Sequence, residues 1–231
     1  MKIYTLLLLF MVVVSSNAQL KGGVVNYSVT VTENKDSQLE KMMLSMNVNF
    51  YSVIKEFDFK LKFNKEKSLF VKEKKMYSDD KAAELGDVKI NYSGRVLTKK
   101  DSIYREGSSI GIGDYIEKKG VVDNWILLNE TKLIDNYLCY KATTENIVVH
   151  KEKTFRHPIT AWYCPQIPFP YGPLNYGNLP GLILELQTKD AVYGAKTIQL
   201  NVNDTVIEEL KKYRVIEEEE LNDLIEKKNS N

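Results

Sequence analysis

The stretch Phe57-Asp58-Phe59-Lys60-Leu61-Lys62-Phe63-Asn64 alternates large apolar and polar side chains without a break. Successive side chains of a strand point to opposite faces, so this stretch has one oily face and one wet face. A strand of that kind belongs to an antiparallel sheet covering a core on one side. The same reading extends outward along the chain. Val25, Tyr27, Val29 and Val31 alternate with Asn26, Ser28, Thr30 and Thr32, and Leu44, Met46, Val48 and Phe50 repeat the pattern. Further strands are predicted at 68–76, 95–98, 102–105, 114–118, 124–128, 131–134, 137–147, 154–164, 181–189 and 196–207. Short breaks separate them, among them 107–113 and Asn129-Glu130. Many strands with short breaks predict a mainly β fold: one large curved antiparallel sheet, or an incomplete barrel.

Two segments change period. Residues 81–86 (KAAELG) form the one internal helix candidate. Residues 217–228 (EEEELNDLIEKK) carry Leu221, Leu224 and Ile225 on one stripe, with acidic residues first and Lys227 and Lys228 last. Those charges match the helix dipole and predict a short C-terminal amphipathic helix.

Composition removes several functions. With 43% hydrophobic and 27% charged residues in a chain of 231, the protein is neither low-complexity nor collagen-like. A net charge of +1 gives no basic surface for nucleic acid. The first residues read as an address. Lys2 precedes the nine-residue apolar run from Leu6 to Val14, and Ser16 and Ala18 place small residues where a signal peptidase reads them. Nine residues are too few to cross about 30 Å of hydrocarbon. The expectation is a signal peptide over 1–18 and a single β-rich domain over 19–231, exported to the periplasm, the cell envelope or the exterior. No later stretch of 18 apolar residues follows that could anchor the chain.

Every proline lies between Pro158 and Pro180, and five of the six fall within 16 residues. Proline fixes φ and removes a donor, so the segment after Cys164 is neither a helix nor a central strand. Gly172, Gly177 and Gly181 are expected to supply the dihedrals of tight reversals. Trp162, Tyr163, Phe169, Tyr171 and Tyr176 add large apolar surfaces, and Leu179, Pro180 and Gly181 close the segment. A stiff loop loses little entropy on binding, which makes these eight residues the candidate binding set. The competing reading has the aromatics packing the loop onto the sheet. Cys139 and Cys164 flank a hairpin whose turn is centred between Lys151 and Glu152, a register that sets the two residues opposite each other. Either a structural disulfide or two small buried apolar side chains fits.

Leu179-Pro180-Gly181-Leu182-Ile183, preceded by Ala161-Trp162-Tyr163, Ile167-Pro168 and Gly172-Pro173, resembles the GLPGLI family. The upstream string from Ile134 to Ala142 is similar to the family's second block, and Trp125 precedes it as expected. The first motif glycine is Asn178 here, and the second block's glycine is Asn136. Asn tolerates the left-handed region better than most residues, so both turns are expected to survive. The resemblance implies β-rich periplasmic or surface proteins of bacteria with an outer membrane, often encoded near outer-membrane transport components. It implies a curved incomplete barrel, and it brings no catalytic residues.

The catalytic inventory is thin. His150 and His157 lack metal-pair spacing. Gly107-Ser108-Ser109-Ile110-Gly111 fits G-x-S-x-G, but no helix pattern follows it. No cofactor motif is present. The function expected is a non-enzymatic envelope protein serving an outer-membrane partner or a small apolar or peptide ligand. The alternatives are a carrier of an apolar ligand in a half-barrel and a secreted hydrolase using Ser109 or a His157 metal.

Overall fold

In the computed structural model, residues 20–34, 37–150, 153–202 and 206–229 are described. The expected signal peptide falls on residues outside that set. The chain begins with β1 (Gly22–Val31), α1 (Gln38–Met46) and α2 (Phe50–Ile54). Next come β2 (Asp58–Asn64), β3 (Lys67–Lys72), α3 (Asp80–Lys89), β4 (Val96–Lys99), β5 (Ser102–Ser109) and β6 (Gly113–Gly120). The second half holds β7 (Ile126–Ile134), β8 (Tyr137–His150), β9 (Lys153–Cys164), β10 (Leu182–Gln187), β11 (Ala191–Leu200), β12 (Arg214–Glu217) and α4 (Glu218–Asn229).

All twelve strands form one open sheet in the order β12-β6-β5-β4-β3-β2-β1-β11-β10-β9-β8-β7. The N-terminal strand is central. From it the chain winds outward through β2 to β6, crosses to the opposite edge at β7, and winds back to pair β11 with β1. Each adjacent pair is antiparallel except β12 on β6, which is parallel. The fold is mainly β, a single large curved sheet not closed into a barrel, with a C-terminal helix.

The core follows the alternation. Phe59, Leu61 and Phe63 of β2 are wholly buried, with Val25 and Tyr27 of β1 beside them. Phe59 stacks on Phe70 with ring centroids 5.2 Å apart. Two buried tyrosines keep their hydroxyls satisfied, as buried polar groups must. Tyr27 donates to the Ile183 carbonyl at 2.6 Å, and Tyr193 donates to the Ile90 carbonyl at 3.1 Å. The other face of the sheet is covered locally, where Ile207 and Leu210 lie on Leu69 and Leu97. Glu208 and Glu209 hold that crossing segment by ion pairs to Lys62 and Lys67.

Several expectations are corrected. Leu44, Met46, Val48 and Phe50 do not form a strand; they lie on or between α1 and α2. Ser37 caps the segment, its hydroxyl accepting from the Glu40 N–H at 3.3 Å. Gln, Leu, Glu, Lys and Met then favour a helix. Residues 81–86 are therefore not the only internal helix, although they do lie in α3, capped by Asp79 accepting from the Ala82 N–H at 3.0 Å. Asn129-Glu130 is a ladder irregularity within β7 rather than a turn. Gly107 to Ser109 continue β5 instead of breaking it. Strand 196–207 starts earlier, at Ala191, and ends at Leu200.

Candidate functional site

The belt, residues 165–181, has no regular secondary structure and folds back on the strand that follows it. Leu182 N–H donates to the Ile167 carbonyl and Ile183 N–H to the Tyr171 carbonyl, both at 2.9 Å. Asn178 N–H reaches the Pro170 carbonyl at 2.9 Å. Trp125 clasps the belt from outside: its indole N–H donates to the Gly177 carbonyl at 2.9 Å, and its ring meets Tyr176 edge-on. Asn178 Nδ2 donates to the Val122 carbonyl at 3.1 Å.

The glycines serve a different purpose from the one expected. None of Gly172, Gly177 and Gly181 has a positive φ. Each permits a close approach instead. A Cβ on Gly181 would lie 2.2 Å from the Cys164 carbonyl oxygen, and one on Gly177 would lie 2.6 Å from the Pro170 oxygen. The left-handed residues of the belt are Asn178 at φ 61° and Leu174 at φ 55°. Asn178 thus takes the conformation expected at the motif's glycine position. In the second block the left-handed residue is Asp135 at φ 53°, not Asn136.

The eight candidate binding residues do not share one surface. Tyr163, Phe169, Tyr171, Leu179 and Gly181 are buried in the core, with Phe169 packed on Phe63 at 4.8 Å. Pro180 is exposed. Trp162 faces the outer side of the sheet, where Lys132 Nζ lies 4.5 Å from its ring centroid. Tyr176 alone of the eight lines the main cavity.

That cavity is a cleft of about 890 Å³ on the core-facing side of the sheet. The curl of the sheet brings two distant wings to it. One wall is Arg105 of β5 and Glu117 of β6, opposite each other in register and joined at 2.6 Å. The other wall is Asn146, Ile147 and Val148 of β8 with His157 and Ile159 of β9. Between them lie Leu174, Asn175 and Tyr176 of the belt, and Ile225 of α4 closes one side. Lys89 at the end of α3 reaches the cleft and bonds Asp190 at 3.1 Å. Lys119 stands 3.6 Å from Glu218 at the start of α4. Burial pushes the Tyr176 hydroxyl up to about 12, against the pull of the nearby Arg105 guanidinium. It is therefore a neutral donor at any physiological pH. Leu174 is strained by its positive φ, and such strain persists only where the surroundings over-determine it.

Pro158 shows how a strand beside the cleft tolerates a proline. The β9–β10 ladder ends at Thr160, so Pro158 lies where β9 is paired only with β8. The G-x-S-x-G match at Ser109 lacks the geometry of a nucleophile elbow. Ser109 ends β5 and pairs with Gly113 across a hairpin, a strand–turn–strand in place of the strand–turn–helix of a nucleophile elbow. Among the described residues no group of three or more His, Cys, Asp or Glu converges to hold a metal. Cys139 and Cys164 are buried free thiols, and Cys139 Sγ donates to the Tyr137 carbonyl at 3.6 Å. The hydrogen bond from Cys139 pulls the Cys164 thiol down, against burial and with help from the backbone N–H groups of Gln166 and Ile167. The same contact, with burial, pushes Cys139 up.

Arg105, Glu117, Lys89 and Leu174 were not in the candidate set. Arg105 carries a visible signal, since it shares strand parity with buried Ile103 and so places a charge on the oily face.

The family described as "Protein of unknown function (Porph_ging)" matches residues 149–185, which hold the end of β8, all of β9, the belt and most of β10. No curated protein matches the chain. Among solved structures, PNGF-II in space group P21 is similar at 13% identity and a TM-score of 0.50, over 90% of this chain and 34% of that one. Its C2 crystal form aligns at 14% identity and a TM-score of 0.48, over 90% and 33%. The chain spans about a third of the PNGF-II chain, and the likeness is one of fold. Among the described residues no helix is long and apolar enough to cross a membrane.

Proposed function

We propose that the chain is an exported, non-enzymatic binding protein of the cell envelope, of the GLPGLI type. Its ligand is a short peptide or peptide-sized molecule carrying both charged and apolar groups, seated in the cleft between the two wings. The observation that carries this reading is the meeting of Leu174, Asn175 and Tyr176 with both walls around one cavity of about 890 Å³. That size suits a small-molecule or peptide ligand. The lining supports a mixed ligand: Arg105 and Lys119 offer charge-assisted donors, Asp190 and Glu218 offer acceptors, and Val148 and Ile225 offer aliphatic surface. A wholly apolar cargo would leave those charges desolvated without partners of its own. Export rests on the leader sequence. The GLPGLI type rests on the motif strings, most of which lie within the matched residues 149–185.

Native mass spectrometry of the chain released gently from its own envelope tests the proposal. The wild type is expected to carry a bound species that Val148→Phe/Ile225→Phe reduces at least about tenfold, because two added rings occupy the cavity. Both positions are exposed, at 42% and 36%, so the double variant is expected to keep the fold. An empty wild type, or equal occupancy in the variant, refutes the proposal.

A further inference from the structure

We propose that Cys139 and Cys164 are joined by a disulfide that fastens the root of the belt to β8, formed by thiol–disulfide exchange with an external disulfide. The proposal stands apart from the ligand reading and does not depend on it. The β8–β9 ladder runs to Tyr140 opposite Tyr163, and Cys139 and Cys164 are the next residues on their strands. Opposite residues of an antiparallel pair have Cα atoms about 4.5 or 5.5 Å apart, and a disulfide accepts about 4.4–6.8 Å. Both residues are wholly buried, so they share the core side of the two strands, and the register alone brings them within reach of a bond.

Its position gives it a task. Cys164 is the last residue of β9, and its carbonyl accepts from the Ile167 N–H at 3.1 Å as the belt begins. Gly181 packs on that same carbonyl where the belt ends, and Leu182 pairs with Cys164. Both ends of the belt thus converge on one cysteine. Cys139 in turn pairs with Lys132 of the edge strand β7. A covalent link between the two cysteines ties the belt, β9 and β10 to the outer strands.

The exchange balances as follows. The Cys164 thiolate attacks one sulfur of the external disulfide and expels the other as a thiolate. Cys139 then attacks the Cys164 sulfur, expels the second thiolate and loses its proton to it. The protein gives up two electrons and two protons, and the external disulfide becomes two thiols. Because the folded chain covers both sulfurs, the exchange precedes their final burial. The expected export would carry the chain to a compartment where such a bond persists.

The test is to refold the reduced, denatured chain in oxidised and reduced glutathione, denature it again and alkylate with a maleimide. The expected monomer is lighter by two hydrogens and takes up no maleimide until a reductant is added, when both thiols react. Reduction is expected to lower the thermal midpoint by on the order of 10 °C. Cys139→Ser/Cys164→Ser should melt like the reduced wild type and ignore reductant. Two reactive thiols in the refolded monomer, or a bond only between chains, would overturn the pairing. A midpoint that reductant does not move would overturn the fastening role. If the double variant fails to fold, the thiol count and melting of the wild type decide alone.

Discussion

Glu40→Ala is expected to lower the stability of the folded chain by about 3–5 kcal/mol, the usual cost of removing one partner from a buried ion pair. Lys89 and Glu40 are bonded side chain to side chain, 4% and 5% exposed. Glu40 also accepts from the Tyr51 hydroxyl, and from the Asn34 N–H at 2.9 Å. Removing the carboxylate strands an ammonium in a nearly dry site with only Asp190, at 3.1 Å, as its charged partner. Replacing both residues, as Glu40→Leu/Lys89→Met, is expected to recover most of the loss, because the desolvation of two charges disappears with them. Urea unfolding of the three proteins checks this. A cost below about 1 kcal/mol for Glu40→Ala would mean that Lys89 reaches water or that Asp190 suffices.

The same pair gives a pH dependence of known sign. Burial works against ionisation of Glu40, but the hydrogen bonds from Lys89, Tyr51 and Asn34 outweigh it and hold the carboxyl below its usual range. A depressed carboxylate stabilises the folded state fully above its unfolded pKa, about 4.3 for Glu, and loses that contribution as pH falls through the folded value. Asp58, Glu106, Glu208 and Glu209 are depressed as well, so all of them steepen the acid slope. The difference between wild type and Glu40→Gln isolates the Glu40 share. It should be constant at neutral pH and shrink on acidification.

Gly181→Ala is expected to cost about 3 kcal/mol or more, at the upper end of overpacking effects. The new methyl would sit 2.2 Å from the Cys164 carbonyl oxygen and 2.8 Å from Pro165 N. Both obstacles are backbone and neither can swing aside, so the belt must lift from β9. Gly194→Ala is the matched control, since a Cβ there meets nothing within 4 Å and φ is not positive. It should be neutral, or stabilise by about 0.4–1 kcal/mol through the unfolded chain. The two variants should differ in thermal midpoint by roughly 6–12 °C or more. Coincident midpoints would show that the belt yields easily and is not the stiff element described above.

The legibility of this fold in its sequence has a physical pattern. Alternation is reliable where one face is buried, so β1, β2, β8 and β9 were readable, and the β8–β9 register followed from the polar turn alone. It misled over Leu44 to Phe50, where apolar residues at even positions mimic a strand although Ser37 and Glu40 announce a helix. The crossing from β6 to the far edge at β7 left no local trace, because neighbours in sequence usually pair. The belt was visible through its prolines, but it has no period. Nothing in the string told that Phe169 and Tyr171 turn inward while Leu174 and Tyr176 meet the cleft. The cleft itself joins strands far apart in sequence, and only charges on an oily parity, such as Arg105, hinted at it.

The central claim is that the ligand sits in the cleft against the belt. Hydrogen–deuterium exchange of the chain, with and without the species recovered from its envelope, tests this most directly. The account predicts slowed exchange at residues 174–177, at 145–148 and at 157–159, with Trp162 and the β7 edge unchanged. Protection confined to β7 or to the outer face around Trp162 would contradict it.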